Sequence, residues 1–165
     1  MNIANMLTVL RIIAIPAVLS LYTSGSYEWA VVVFALACIS DTLDGYVARK
    51  YNQVTKFGTF LDPVADKALV VAVILMLIKY HPENIWIPGT LIIIREVTML
   101  GLREWAAKRK HSIPVTNIAK VKTLSQMVGL GLLMSHVEQA VYYGLVLLWG
   151  SVVLSYYSLV MYLKS

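Results

Sequence analysis

The chain has 165 residues, 59% of them hydrophobic and 14% charged, with a formal net charge of +5. Average soluble domains are about 45–50% apolar and about 25% charged, so this length cannot bury that much apolar surface in water, and lipid is the expected solvent. The basic residues lie between hydrophobic stretches, which excludes a nucleic-acid surface and favours lipid headgroups or an anionic substrate.

A membrane helix needs roughly 20 mostly apolar residues. The length therefore allows about six spans and no separate soluble domain. The expectation is an all-α transmembrane bundle, one catalytic domain over 1–165, with a motif region at 41–66 and a basic region at 95–123. The first span covers 5–24. Met1 to Ile3 carries no basic cluster and the apolar run continues past Arg11 without a small-residue cleavage site, so a permanent helix is expected rather than a signal peptide. Ser24-Gly25-Ser26 breaks it. The second span, 27–49, is apolar until Asp41, and its Cys38, the chain's one cysteine, reads as packing. A turn over Tyr51 to Lys56 leads to the third span, 58–80, which is polar at its start and apolar after Lys67. His81-Pro82-Glu83-Asn84 reads as the next break, before 86–109. Lys110 to Asn117 precedes 120–136, where Gly129 and Gly131 read as helix-packing residues. Ser135-His136 precedes 139–163. His81, His111 and His136 are scattered along the chain and carry no expected chemistry.

Charge orients this bundle. One set of loops carries Arg49, Lys50, Lys56, Arg103, Lys108, Arg109, Lys110, Lys120 and Lys122. The opposite loops carry Glu28, Glu83 and Glu138, with Lys79 as their one cation. The positive-inside rule puts the basic loops on the cytoplasmic side. Trp29, Trp86 and Trp105 fall near predicted helix ends, as interfacial aromatics do.

All four aspartates of the chain lie between positions 41 and 66, at the basic ends of two consecutive helices. Asp41 and Asp44 are spaced i,i+3, and Asp62 and Asp66 i,i+4, so each pair shares a helix face. Each ionised group near hydrocarbon costs on the order of 2.5–3.5 kcal/mol, and four unpaired carboxylates repel one another. Hard divalent cations offset such charge through oxygen ligands. Two Mg²⁺ or Mn²⁺ ions balance four carboxylates, and a metal pair is a known clamp for phosphoryl displacement. Gly45 and Gly58 leave room for a ligand near the backbone. Arg49 can contact phosphate bidentately. Pro63 suits a first helical turn, which would place Asp62 at a helix N-terminus where amides favour anions. A divalent-cation transporter also buries acids, but its acids are expected nearer mid-membrane and on more helices. An aspartate-rich membrane prenyltransferase would need two acidic motifs much farther apart.

Asp41-Thr-Leu-Asp44-Gly45-Tyr-Val-Ala48-Arg49 followed by Gly58-Thr-Phe-Leu-Asp62-Pro-Val-Ala-Asp66 resembles the CDP-alcohol phosphotransferase signature, with every fixed position present. The resemblance implies that Asp41, Asp44, Asp62 and Asp66 ligate two divalent cations, with Asp66 also the base that deprotonates the acceptor hydroxyl. It implies that Thr42, Gly45, Ala48, Arg49 and Gly58 line the pocket of the CDP-linked donor, and that the acceptor oxygen attacks the β-phosphorus with CMP leaving. Asn5-Met-Leu-Thr8-Val-Leu-Arg11, Arg95-Glu96, Arg103-Glu104-Trp105, Ile113-Pro-Val and Ala119-Lys120-Val-Lys122-Thr123 are similar to a bacterial branch of that family, in which CDP-diacylglycerol reacts with sn-glycerol 3-phosphate. That implies a homodimer in the bacterial cytoplasmic membrane with its site facing the cytoplasm. Other acceptors in the family are serine, inositol phosphate and phosphatidylglycerol.

Glycerol 3-phosphate is a dianion and needs fixed cations. Arg95 lies partway along a predicted span, where an isolated charge is costly, and Arg103, eight residues further along, is expected near the same helix face. Thr8, Arg11, Lys120 and Lys122 are the other candidates for the acceptor phosphate. Glu96 is the alternative partner for Arg95, and a solvated loop is the alternative setting for Arg103, Lys120 and Lys122. Lys108 to Lys110 are expected on anionic headgroups.

Overall fold

The computed structural model describes the backbone of residues 3–50, 56–108 and 117–164, and the side chains of 9–40, 64–106 and 120–163. The six helices are α1 (Ile3–Thr23), α2 (Tyr27–Lys50), α3 (Lys56–Tyr80), α4 (Pro82–Lys108), α5 (Asn117–Met134) and α6 (Glu138–Lys164). No strand occurs among the described residues. The architecture is the expected all-α membrane bundle.

The helices are apolar on both faces. Inward, Val18, Phe34, Val73, Ile74, Ile92, Leu130 and Leu148 form one core drawn from all six. Outward, Ile13, Leu36, Leu75, Val97, Leu124 and Val153 are all more than half exposed. An apolar all-round helix is either deep in a large core or in lipid, and here the outer faces are not covered by protein. Pro82–Ala106 and Glu138–Leu163 are long and apolar enough to cross a membrane on length and composition alone. Trp29, Trp86 and Trp105 are exposed near helix ends.

Two expectations about helix starts are corrected. His81 to Asn84 is not a four-residue break. The carbonyl of His81 accepts from Ile85 N at 3.3 Å, so His81 caps α4 and Pro82 occupies the first helical position, where its missing N–H costs nothing. Similarly, α3 begins at Lys56. Phe57, Phe60, Leu61 and Val64 recur at helical spacing and carry the helix through Gly58, so Asp62 falls in the second turn and not at an N-terminus.

The link from α1 to α2 is a Schellman turn. Ser26 N donates to Leu21 O at 2.9 Å and Gly25 N to Tyr22 O at 3.1 Å, with Gly25 at φ 83°. That left-handed position is why glycine stands there. Ser26 then caps α2 through Ala30 N, 3.0 Å. Between α5 and α6, His136 takes φ 56° without being glycine, an uncommon conformation for a side-chain-bearing residue.

Two glycines set the α5–α6 contact, the most extensive helix pairing in the bundle. A Cβ at Gly144 would lie 2.9 Å from the Gly129 carbonyl, and one at Gly129 would lie 3.1 Å from the Gly144 carbonyl. Close backbone approach of this kind is what small residues permit in membrane helices. Gly129 therefore packs as expected. Gly131 does not: nothing lies within 4 Å of its would-be Cβ. It lines an apolar groove of about 400 Å³ between α2 and α5, with Phe34, Ala35, Cys38, Ile39 and Val128.

His81 and His136 are not scattered in space. The Tyr22 hydroxyl lies 2.9 Å from His136 Nε2 and 3.4 Å from His81 Nε2. The His136 ring stacks on Tyr27 at 3.7 Å between centroids, and Tyr27 and Tyr80 pack edge-on against Tyr22. This clasp joins the ends of α1, α2, α3 and α5 at the face opposite the motif region.

Candidate active site

Five residues separate α2, which ends at Lys50, from α3, which begins at Lys56. Positions 41, 42, 44, 45, 48 and 49 lie in the last turns of α2, and 58, 62 and 66 in the first turns of α3. The aspartate motif is thus helical on both arms, as its spacing required. The side chains of Thr8, Asp41, Thr42, Asp44, Gly45, Ala48, Arg49, Gly58 and Asp62 lie outside the described residues. Among the described residues no group of three His, Cys, Asp or Glu is gathered for a metal. Of the four acids only Asp66 belongs to that set.

Asp66 is partly buried, and its Oδ2 accepts from Lys67 Nζ at 3.0 Å. Lys67 Nζ also reaches Glu96 Oε2 at 3.0 Å. Glu96 is buried in α4 and uses its other oxygen twice, for Arg95 Nη1 at 2.9 Å and for Lys122 Nζ. Arg95 Nε donates to the Ser155 carbonyl of α6 at 3.3 Å. One carboxylate therefore gathers cations from α3, α4 and α5. Isolated charges in such surroundings are expensive, and pairing with full hydrogen bonding offsets that cost.

The sequence-derived acceptor candidates divide on this geometry. Arg95 and Lys122 are brought together, and Arg11 is fully buried on α1. Glu96 is the partner of Arg95, but the same carboxylate serves two further cations. Arg103 and Lys120 are exposed and join no described cluster. Eight residues turn a helix about 80° past two full turns, so Arg103 leaves the face that Arg95 occupies. Lys67 and Glu96 were not read as functional from sequence. Glu96 carried a signal, as a charge beside Arg95 partway along a predicted span, where the same cost applies; Lys67 closes the polar start of α3 and carried none. On α6, Tyr142, Tyr143 and Tyr157 are exposed, whereas the Tyr156 hydroxyl donates to the Leu91 carbonyl at 3.2 Å and ties α6 to α4.

The profile of the CDP-alcohol phosphatidyltransferase family matches residues 1–157. The chain belongs to this family. A relative from Salmonella choleraesuis is 39% identical over 172 residues, 99% of this chain and 94% of its own length. One from Shigella flexneri serotype 5b is 40% identical over 171 residues, again 99% and 94%. One from Rickettsia felis is 47% identical over 136 residues, 80% of this chain and 74% of its own. All three carry the name CDP-diacylglycerol–glycerol-3-phosphate 3-phosphatidyltransferase. As a CDP-alcohol phosphatidyltransferase the chain is a membrane transferase of phospholipid synthesis, which fits its two-sided apolar helices.

Proposed function

We propose that this enzyme transfers the phosphatidyl group of CDP-diacylglycerol to sn-glycerol 3-phosphate, releasing phosphatidylglycerophosphate and CMP. The observation that carries the choice of an anionic acceptor is the grouping of buried Arg95 and Lys122 with the partly buried Lys67 beside Asp66, and the relatives' names favour glycerol 3-phosphate among such acceptors. A neutral or zwitterionic acceptor would not need two buried cations and a third partly buried one, whereas a phosphate monoester carries about −2. The names of the full-length relatives agree.

The donor set of Asp41, Asp44, Asp62 and Asp66 is all hard oxygen, which fits Mg²⁺ or Mn²⁺. Two such ions, when bound, supply charge neutralisation at the donor diphosphate. In this reading Thr42, Gly45, Ala48, Arg49 and Gly58 hold the cytidine diphosphate. Asp66 takes the proton of the acceptor hydroxyl, whose oxygen bonds to the β-phosphorus as the bond to the CMP oxygen breaks. Arg95 and Lys122 hold the acceptor's phosphate, with Thr8, Arg11, Arg103 and Lys120 around them. The groove between α2 and α5 ends at Ile39, two residues before Asp41, and its walls are apolar. It is a fitting berth for an acyl chain of the donor. The basic ends would face the cytoplasm by the positive-inside rule, in a bacterial inner membrane. A homodimer is what the resemblance implies.

The test is an acceptor panel. Purified enzyme with CDP-diacylglycerol and Mg²⁺ is given glycerol 3-phosphate, serine, inositol phosphate or phosphatidylglycerol, and CMP is measured. Release with glycerol 3-phosphate is expected. Release with serine but not glycerol 3-phosphate would overturn the choice of acceptor.

A further inference from the structure

The acceptor cations do not hold themselves in place. Lys67, Arg95 and Lys122 come from three different helices, and three buried like charges repel. Glu96 is what they share: Oε2 receives Lys67, and Oε1 receives Arg95 and Lys122. With the carboxylates of Glu96 and Asp66 both counted, the three cations leave a formal charge of +1, the sign that suits an anionic ligand. The described bonds use two of the three Lys67 donors and one of the three on Lys122, so donors remain for a ligand. A buried ion cluster is weak support for stability, since well-packed apolar residues often serve as well or better. Its placement one residue from Asp66 points instead to the reaction.

We infer that Glu96 is a positioning residue that fixes Lys67, Arg95 and Lys122 as a cradle for the acceptor's phosphate, and that Lys67, bridging Glu96 to Asp66, sets that phosphate at a fixed reach from the base. The inference rests on the proposed transfer to an anionic acceptor, and it adds two residues to that site. Glu96 acts through the cations and does not touch substrate. Glutamine at 96 keeps the shape but offers one accepting oxygen and an amide that cannot pair a cation, so the cradle loosens while the donor pocket on α2 is unaffected.

The experiment compares wild-type enzyme, Glu96→Gln, Lys67→Met and the double variant in lipid nanodiscs. KM is measured separately for glycerol 3-phosphate and for CDP-diacylglycerol. Glu96→Gln should raise the acceptor KM about ten- to a hundredfold, the range for a lost charged hydrogen bond, with the donor KM within about twofold. The double variant should be little worse than the more affected single variant, because both changes act on one cradle. An equal rise in both KM values, or no change, overturns the inference. Should Glu96→Gln not fold, Lys67→Met is expected to give the same split, and an equal rise there overturns it as well. If wild-type enzyme releases no CMP with glycerol 3-phosphate, the proposed reaction fails by itself. The cradle is then judged by inorganic phosphate, which should raise the thermal unfolding temperature of the wild type and not of Glu96→Gln. No protection of the wild type overturns the cradle.

Discussion

Two regions of this bundle are held by opposite chemistry. At one end Tyr22, Tyr27, Tyr80, His81 and His136 form a clasp of aromatic rings and neutral hydrogen bonds. Partway along α3 and α4, five charged side chains, Asp66, Lys67, Arg95, Glu96 and Lys122, meet in the interior. The clasp ties helix ends together with groups that need little desolvation. The charged centre gathers groups that are costly to bury and that contribute little net stability for that cost. Substitutions at the clasp should therefore lower stability and leave turnover alone, and those at the charged centre should do the reverse.

The largest effect is expected at Asp66. Asp66→Asn keeps the shape and, on the proposed assignment, removes the base, so kcat should fall by about 10²–10⁴-fold, the usual contribution of a positioned base. Binding of the CDP-linked donor should be largely spared. Near-normal turnover would remove Asp66 from that role. A smaller effect is expected at Arg103, which is exposed and outside the described cluster. Arg103→Ala should raise the acceptor KM by less than Glu96→Gln does, and by more than it raises the donor KM. An effect larger than that of Glu96→Gln would relocate the acceptor site toward the end of α4.

At the clasp, Tyr22→Phe removes the hydroxyl shared by the two histidines. A loss of about 1 kcal/mol in stability is expected, typical of a neutral hydrogen bond, with kcat unchanged. A fall in kcat at unchanged stability would break the contrast between the two regions. The smallest effect is a pH dependence of the clasp. Burial, and then the neighbouring His81, hold the His136 imidazole below its ordinary value of 6.5. The unfolded chain then binds the proton more readily than the folded one, so this contribution to stability is present above about pH 6.5 and is lost as pH falls through the folded value. Thermal unfolding followed from pH 7.5 to pH 5 should show a drop that is reduced in His136→Asn.

Much of this was readable in the sequence, for identifiable reasons. Six apolar runs of membrane length gave six helices because nothing in lipid competes with the helix for backbone hydrogen bonds. That both arms of the aspartate motif are helical was readable because i,i+3 and i,i+4 spacing is itself a helical period. What could not be read is what depends on helix rotation. Lys67, Glu96 and Lys122 are 29 and 26 positions apart, and only packing brings them onto one carboxylate. The same holds for Tyr22, His81 and His136. Proline signals misled in opposite directions: Pro63, read as a first-turn residue, lies inside α3, and Pro82, read as part of a break, opens α4.

The α2–α5 groove also bears on how rate should be measured. Its rim residues Ile39, Leu124 and Val128 are exposed on the lipid-facing side, while α5 is pinned behind by the glycine crossing with α6. A two-tailed donor using this berth would arrive sideways, by diffusion within the bilayer plane. The governing variable is then mole fraction among lipids, not concentration in bulk water. Diluting CDP-diacylglycerol with inert phospholipid at constant total donor should slow the enzyme, whereas diluting the vesicles in buffer should not.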